Sequence, residues 1–208
     1  MLRTDSDQKL EEFKKHLSIP IINGLSPSSH ATQVLSDVFT VEEIKKKPIS
    51  KLKISWIGDS NNVLNSLIVA SVKFSFNLNI GCPKKYNPKK SIIDWVKKNK
   101  KKINIFDDAK KAVKNSDVIF SDKVVSLNDK GNKIKKINNF KNFKIDSKLM
   151  SLAKKNAIFL HCLPITATSE VVTPISLNKS CSIITGSLGP QIELLPFNQG
   201  SIPYSLTT

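Results

Sequence analysis

The sequence predicts an α/β fold: a doubly wound, mainly parallel sheet with helices on both faces. Three observations carry that expectation. Short apolar runs of strand length alternate with helical patterns between residues 52 and 162, as strands joined by crossover helices do. Those runs are apolar almost throughout, the pattern of strands buried on both faces. Polar residues gather where the runs end, at Gly58-Asp59, Cys82-Pro83, Ser121-Asp122 and His161-Cys162. In open parallel sheets, ligands bind beyond the carboxyl ends of the strands, near the switch point.

Taken in order, residues 5–17 (DSDQKLEEFKKHL) predict a helix capped by Asp5, with Leu10, Phe13 and Leu17 on one face. IPII (19–22) predicts a short strand, and NGLSPSS breaks the chain with Gly and Pro. HATQVLSDVF (30–39) predicts a second helix with an apolar stripe of Val34, Leu35, Val38 and Phe39. His30 and Gln33 then stand a turn apart on a neighbouring face. Beyond KKKPISK the alternation begins: strand 52–58, helix 61–74, strand 76–83, helix 88–100, strand 103–106, helix 107–115 and strand 116–121. A lysine-rich loop over 128–144, a helix over 146–155 and a strand over 156–162 follow. After Lys179 the chain contains no lysine, and its last stretch is rich in Gly, Pro, Ser and Thr.

The 208 residues, 39% hydrophobic and 24% charged, suffice for one medium domain or one domain plus part of another. No stretch approaches the ~20 apolar residues of a membrane helix, and MLRTDSDQKLEEF lacks an apolar signal core. The expected location is the cytoplasm. Cys82, Cys162 and Cys181 show no CxxC spacing and are expected as free thiols. With His16, His30 and His161 they form no paired ligand spacing, which argues against zinc.

The net charge of +16 points first to nucleic acid. Of the 33 Lys and Arg residues, however, Arg3 is the single arginine, whereas readers of phosphates and bases use the planar arginine fork. The lysines are scattered and accompanied by many Asn and Ile, the pattern of AT-rich codon usage. A nucleic-acid partner is the least favoured reading.

Four motifs carry candidate chemistry. In WIGDSNNV (56–63) a glycine stands at a strand-to-helix turn. This is not GxGxxG, and a capped turn explains it alone. The consecutive amides of Asn61 and Asn62 at a helix start also suit a carboxylate, assisted by the helix dipole. In HATQ (30–33), His30 and Gln33 suit one small polar ligand or a plain structural role. Asp122 opens SDKVVSLND, where it is placed to hold an ammonium group or simply to face solvent. HCLP (161–164) follows an apolar run, so His161 and Cys162 emerge at a strand end, on opposite faces.

In this order and spacing, IPIINGLS, HATQVLSDVFTVEE, WIGDSNNVLNS, DVIFSD and AIFLHCLP resemble the ornithine carbamoyltransferases. HCLP is the most specific element, because the related aspartate enzymes carry proline in place of the cysteine. The resemblance implies attack of the ornithine side-chain amine on the carbonyl of carbamoyl phosphate, giving citrulline and phosphate with no metal or organic cofactor. It implies that Arg3, His30 and Gln33 hold the carbamoyl group and polarise its carbonyl. By the same resemblance Asn62 binds the ornithine α-carboxylate and Asp122 its α-ammonium, while Ser126 and Leu127 close over the amino acid. Cys162 stands beside the reacting amine, and the Leu163 carbonyl bonds the carbamoyl nitrogen. Arg3, His30 and Cys162 are the implied catalytic set. The family assembles as a homotrimer.

The resemblance divides the chain into a remnant of the carbamoyl phosphate domain (1–47), an ornithine-binding domain (48–184) and a divergent tail (185–208). There are departures. Ala31 replaces the proline of the family's HPxQ, and DKVVSLN stands where DxWxSMG is expected. The phosphate-cradling Ser-Thr-Arg-Thr segment and the Glu-Ala-x-Asn-Arg segment are not found. The expectation is a C-terminal part of the enzyme, inactive alone, with a reading-frame change or gene decay near residue 184. The alternative is a non-catalytic amino-acid-binding module.

Overall fold

The computed structural model describes residues 1–125 and 131–162, and the backbone of 183–186. The first segment contains β1 (Leu2–Arg3), α1 (Asp7–His16), β2 (Asn23–Leu25) and α2 (Ala31–Lys45). β1 and β2 form a separate parallel pair. The strand expected at 19–22 forms instead at 23–25, where Leu2 N–H reaches the Ile22 carbonyl and Thr4 N–H the Leu25 carbonyl, both at 2.9 Å. β1 itself is too short to carry a sequence signal.

A six-stranded parallel sheet follows, built from β3 (Lys53–Ile57), β4 (Asn77–Gly81), β5 (Asn104–Phe106), β6 (Val118–Ser121), β7 (Ile158–Cys162) and β8 (Ile183–Gly186). Its order is β5-β4-β3-β6-β7-β8, every neighbouring pair parallel. The chain starts at β3, runs outward to β5, then crosses back beside β3 and runs outward again. The switch point lies between β3 and β6. The expected doubly wound α/β class is the one observed.

Side-chain alternation along these strands divides two cores. Ile54 and Trp56 of β3, Val118 and Phe120 of β6, and Ile158 and Leu160 of β7 share one core with α2, α3 (Asn62–Lys73) and α4 (Lys90–Lys98). Ile57, Ile119 and Phe159 face the other way, against α5 (Ala109–Val113), α7 (Ser147–Met150) and the Phe140–Phe143 turn. α2 lies on the sheet core through Val34, Val38 and Val41. It therefore joins the first segment to the second.

Several helices differ from expectation. α1 buries none of its residues, and Asp5 pairs with Lys9 at 2.8 Å while Ser6 takes the cap position. α2 runs on to Lys45, ends in a left-handed residue, Lys46, and stops before Pro48. Of its expected stripe, Leu35 and Phe39 are 54% and 67% exposed. The buried face turns instead toward Val41, Gln33 and Asp37. The lysine-rich stretch expected as a loop contains α6 (Lys133–Asn139), capped by Asn132 accepting from Lys135 N–H. The helix expected over 146–155 shortens to α7, because the chain turns after Met150 to return Lys154 N–H to the Ser116 carbonyl.

The short α5 depends on groups beneath it. Its Ala112 carbonyl accepts from Ser55 Oγ at 2.7 Å and Asn79 Nδ2 at 3.0 Å, which satisfies an acceptor that a helix end leaves open. Gly81 permits this close approach, since a Cβ there would stand 2.7 Å from Ile57 Cδ1 and 3.0 Å from Ala112 Cβ. Gly81→Ala is expected to destabilise the fold by about 1–3 kcal/mol through overpacking, read as a lowered urea midpoint with the slope unchanged.

Candidate functional site

The carboxyl end of β3 leads into a turn whose geometry only glycine accepts readily: Gly58 has φ +145°. Its N–H is bonded to the Gly81 carbonyl at 3.1 Å. The turn delivers Asn61 to the N-cap of α3. There the Asn61 Oδ1 accepts from the N–H groups of Val63 and Leu64, both at 3.0 Å. The other end of the same amide, Nδ2, donates to Asp122 Oδ2 at 2.6 Å. Asp122 follows β6 directly, so one side chain spans the switch point. The Ser121 hydroxyl adds a second link between these strand ends by donating to the Ile57 carbonyl at 2.7 Å.

Asn62, the residue expected to hold a carboxylate, is placed beside the same turn but is committed elsewhere. Its Nδ2 donates to the Ser26 carbonyl at 2.9 Å, which fastens the loop before α2 to the start of α3. The same junction is closed by Ser66, whose hydroxyl accepts from His30 N–H at 2.8 Å. The side chain that touches Asp122 is therefore Asn61. Its dual role was foreshadowed by the paired amides in the sequence, which do not reveal which of the two turns inward.

His30 is the N-cap residue of α2 and Ala31 its first helical residue. That is the position where proline is favoured, so alanine here keeps the helix start and loses only the pre-set φ. His30 Nδ1 is buried without a hydrogen-bond partner among the described residues. Burial first, and then the charge of Arg3, hold its pKa below the ordinary histidine value. The imidazole is thus biased to the neutral form, with one ring nitrogen donating and the other accepting.

One turn further, Gln33 Nε2 donates to Asp37 Oδ1 at 2.9 Å, and both side chains are buried. Asp37 was not singled out from the sequence. Its spacing of four from Gln33 on an otherwise apolar face is the signal that could have found it. Burial pushes its carboxyl up to about 7, against the Gln33 bond, with the charge of Asp122 adding to the rise. Burial, then Asp122, then Asp37, also push the Cys162 thiol far up. Cys162 is therefore a neutral thiol at ordinary pH, a weak donor rather than a thiolate nucleophile. It faces the α2 side of β7, while His161 faces the other core against Phe159, at 6.1 Å between ring centroids.

The structure thus brings together two groups of expected residues. Arg3 stands beside His30, and Gln33 leads through Asp37 to Asp122 and Cys162. At the mouth, Lys136 of α6 pairs with Asp59 at 2.6 Å, both side chains largely covered. Ser126, Leu127 and Leu163 lie outside the described residues. The first segment thus carries a cation and a neutral donor, Arg3 and His30, and the sheet ends in an acidic group, Asp122. Such groups suit two small ligands, one anionic and one carrying an ammonium group.

The family model for the Asp/Orn binding domain of aspartate/ornithine carbamoyltransferase matches residues 50–186, and that for its carbamoyl-P binding domain matches residues 1–43. The ornithine carbamoyltransferase of Caldicellulosiruptor saccharolyticus is 40% identical over 179 residues, covering 84% of this chain and 58% of the relative. That of Syntrophus aciditrophicus is 39% identical over 176 residues, with the same coverage of 84% and 58%. The crystal structure of anabolic ornithine carbamoyltransferase from Campylobacter jejuni superposes with a TM-score of 0.79 at 38% identity, covering 83% of this chain and 58% of that one. The enzyme from Pyrococcus furiosus gives 0.77 at 30% identity, covering 87% and 58%. The chain therefore spans 58% of the length of these relatives.

The raised pKa of Asp37 has a definite sign in stability. In the unfolded chain the group ionises near ~3.9, whereas in the fold it keeps its proton up to about 7. Between those values the folded state binds the extra proton, so this contribution weakens the fold as pH rises toward neutrality. His30, with its lowered pKa, acts oppositely on the acid side of the ordinary histidine value. Unfolding midpoints compared between wild type and Asp37→Asn should diverge in favour of the variant as pH rises from about 4 to 8. A difference independent of pH would show that Asp37 does not titrate in this way.

Proposed function

The chain belongs to the aspartate/ornithine carbamoyltransferase family, and on that premise we propose that its site serves the ornithine branch. The reaction is transfer of the carbamoyl group from carbamoyl phosphate to the side-chain amine of L-ornithine, giving L-citrulline and phosphate. What supports this reading is the Asn61–Asp122 bond, the interaction of Asp122 with Cys162 and the interaction of Arg3 with His30. A carboxylate on the sheet, and an arginine with a neutral imidazole donor on the first segment, are the groups that an ammonium-bearing nucleophile and a phosphate-bearing donor require.

In this reading the first segment holds the carbamoyl donor. Arg3 and the neutral His30 donate toward the carbonyl oxygen, where negative charge develops as the amine adds. Gln33 accepts from the carbamoyl N–H. Asp122 receives the α-ammonium of ornithine, the second Nδ2 hydrogen of Asn62, beyond the one given to Ser26, its α-carboxylate, and the Cys162 thiol borders the path of the side-chain amine. Ser126, Leu127 and Leu163 complete the set by resemblance. The C–N bond forms first, giving the tetrahedral oxyanion; as that collapses the C–O bond to phosphate breaks, and the amine proton leaves with the phosphate or to solvent. No side chain need form a covalent intermediate. Alignment of two bound substrates and stabilisation of the tetrahedral oxyanion supply the rate. A homotrimeric assembly and a cytoplasmic setting, as in the family, complete the proposal.

A second reading has an observation of its own. In DKVVSLN (122–128), Val124, Leu127 and Asn128 stand where the family's DxWxSMG loop has Trp, Met and Gly. A loop altered where it closes over the amino acid favours binding without appreciable turnover.

Calorimetry with L-ornithine, with and without carbamoyl phosphate, alongside a citrulline assay, tests both readings. Ornithine is expected to bind, and Asp122→Asn to weaken it by about 10–100-fold, the worth of a hydrogen bond between charged groups. Citrulline formation favours the transferase reading and its absence the binding module. Failure of ornithine to bind under either condition would contradict both.

A further inference from the structure

We infer that Asp37 is a positioning residue: its carboxylate holds Gln33 Nε2 and so determines which end of that amide is presented to the carbamoyl group. The inference deepens the proposed function and rests on it for the identity of the ligand. The geometry is local and complete. Gln33 and Asp37 are four residues apart on α2 and 8% and 4% exposed, and Nε2 lies 2.9 Å from Asp37 Oδ1. An ionised carboxylate only accepts hydrogen bonds, so the amide must turn its NH2 toward Asp37. Its carbonyl Oε1 is then the end left to receive an N–H from a ligand. With Asp37 protonated this constraint lapses, since a carboxyl O–H donates to Oε1 equally well.

The cluster around the carboxyl makes the constraint adjustable. Asp122, at the end of β6, and the Cys162 thiol, at the end of β7, are the titratable groups that interact with Asp37 from the sheet. On its own helix, His30 stands seven residues earlier, beside Arg3. α3 contributes the uncharged Asn62 and Ser66 at this junction. Asp37 is held protonated until about pH 7, and the Cys162 thiol remains neutral throughout. An ammonium group arriving at Asp122 would offset the acidic charge there and favour ionisation of Asp37. Occupation of the amino-acid end would thereby set the amide at the carbamoyl end.

The test is NMR on protein carrying 15N in its glutamine side-chain amides, with the Gln33 pair assigned by its loss in Gln33→Met. The Gln33 signals should shift with pH between 5 and 9 along a single titration curve, and Asp37→Asn should abolish that shift. The second arm is calorimetry with carbamoyl phosphate at pH 6 and pH 8. Wild-type affinity should be about tenfold higher at pH 8, the worth of one hydrogen bond, and Asp37→Asn should remove the difference. Gln33 signals that stay fixed across the range, or that titrate unchanged in Asp37→Asn, would overturn the positioning role. Because the first arm is read on the wild-type protein, poor folding of the variant does not remove it. A titrating amide in a protein that binds no carbamoyl phosphate at either pH would uphold the positioning role while removing the ligand assigned to it.

Discussion

The Asn61 side chain makes three hydrogen bonds with two ends of one amide. Its oxygen takes the N–H groups of Val63 and Leu64 and its nitrogen donates to Asp122. The first two start α3, where four donors would otherwise lack partners. The third crosses from the helix that follows β3 to the loop that follows β6. These are the two strands at which a doubly wound sheet reverses direction, and nothing in the sheet ladder itself fixes their loops relative to one another beyond the strand ends. One side chain therefore satisfies helix and loop at once, and the Ser121 hydroxyl adds a second link at the same corner. Aspartate at position 61 would cap the helix equally well but would oppose Asp122, so the amide is the group that meets both demands.

The parallel sheet was legible in the sequence, and for a physical reason. β3, β4, β6 and β7 are buried on both faces, so their residues are apolar in runs, and each strand was placed within two residues or so of its observed span. The four polar strand ends were legible too, since an open α/β sheet leaves only its rims for polar chemistry. The first segment was less so. α1 buries nothing and β1 is two residues long, so neither periodicity nor run length marks their surroundings. The stripe on α2 was misjudged because it was drawn through its hydrophobic residues alone. Gln33 and Asp37, which satisfy each other, occupy the buried face, while Leu35 and Phe39 do not. Asp37 was missed, and Asn61 was singled out without its partner Asp122, for a shared reason: a polar side chain whose partner lies on another element, or in the core, looks in sequence like any polar residue.

Charge is distributed across the cleft in a way that the total obscures. The molecule carries a net +16, yet Asp37, Asp59 and Asp122 converge on the carboxyl ends of β3, β6 and β7. Asp59 is matched by Lys136 and Asp122 is held by an amide. Asp37 is left to accommodate burial by keeping its proton. The lysines stand mostly at the periphery, as in the Lys154–Asp117 pair at the opposite ends of the strands. The one arginine instead interacts with His30. Overall basicity thus says little about what the site takes, whereas the local sequence of cation, neutral donor, buried acid and half-buried acid describes it closely.

The account stands on the link between Asn61 and Asp122, and a double-mutant cycle reads that link directly. Unfolding free energies of wild type, Asn61→Ala, Asp122→Ala and the double variant would be measured under one condition. The loss of the helix cap occurs in both variants lacking Asn61 and cancels from the cycle. The account predicts a coupling of about 1.5–3 kcal/mol, as for a hydrogen bond to a charged group. Additivity within about 0.5 kcal/mol would mean that the two strand ends are held independently, and the cleft described here would have no common support.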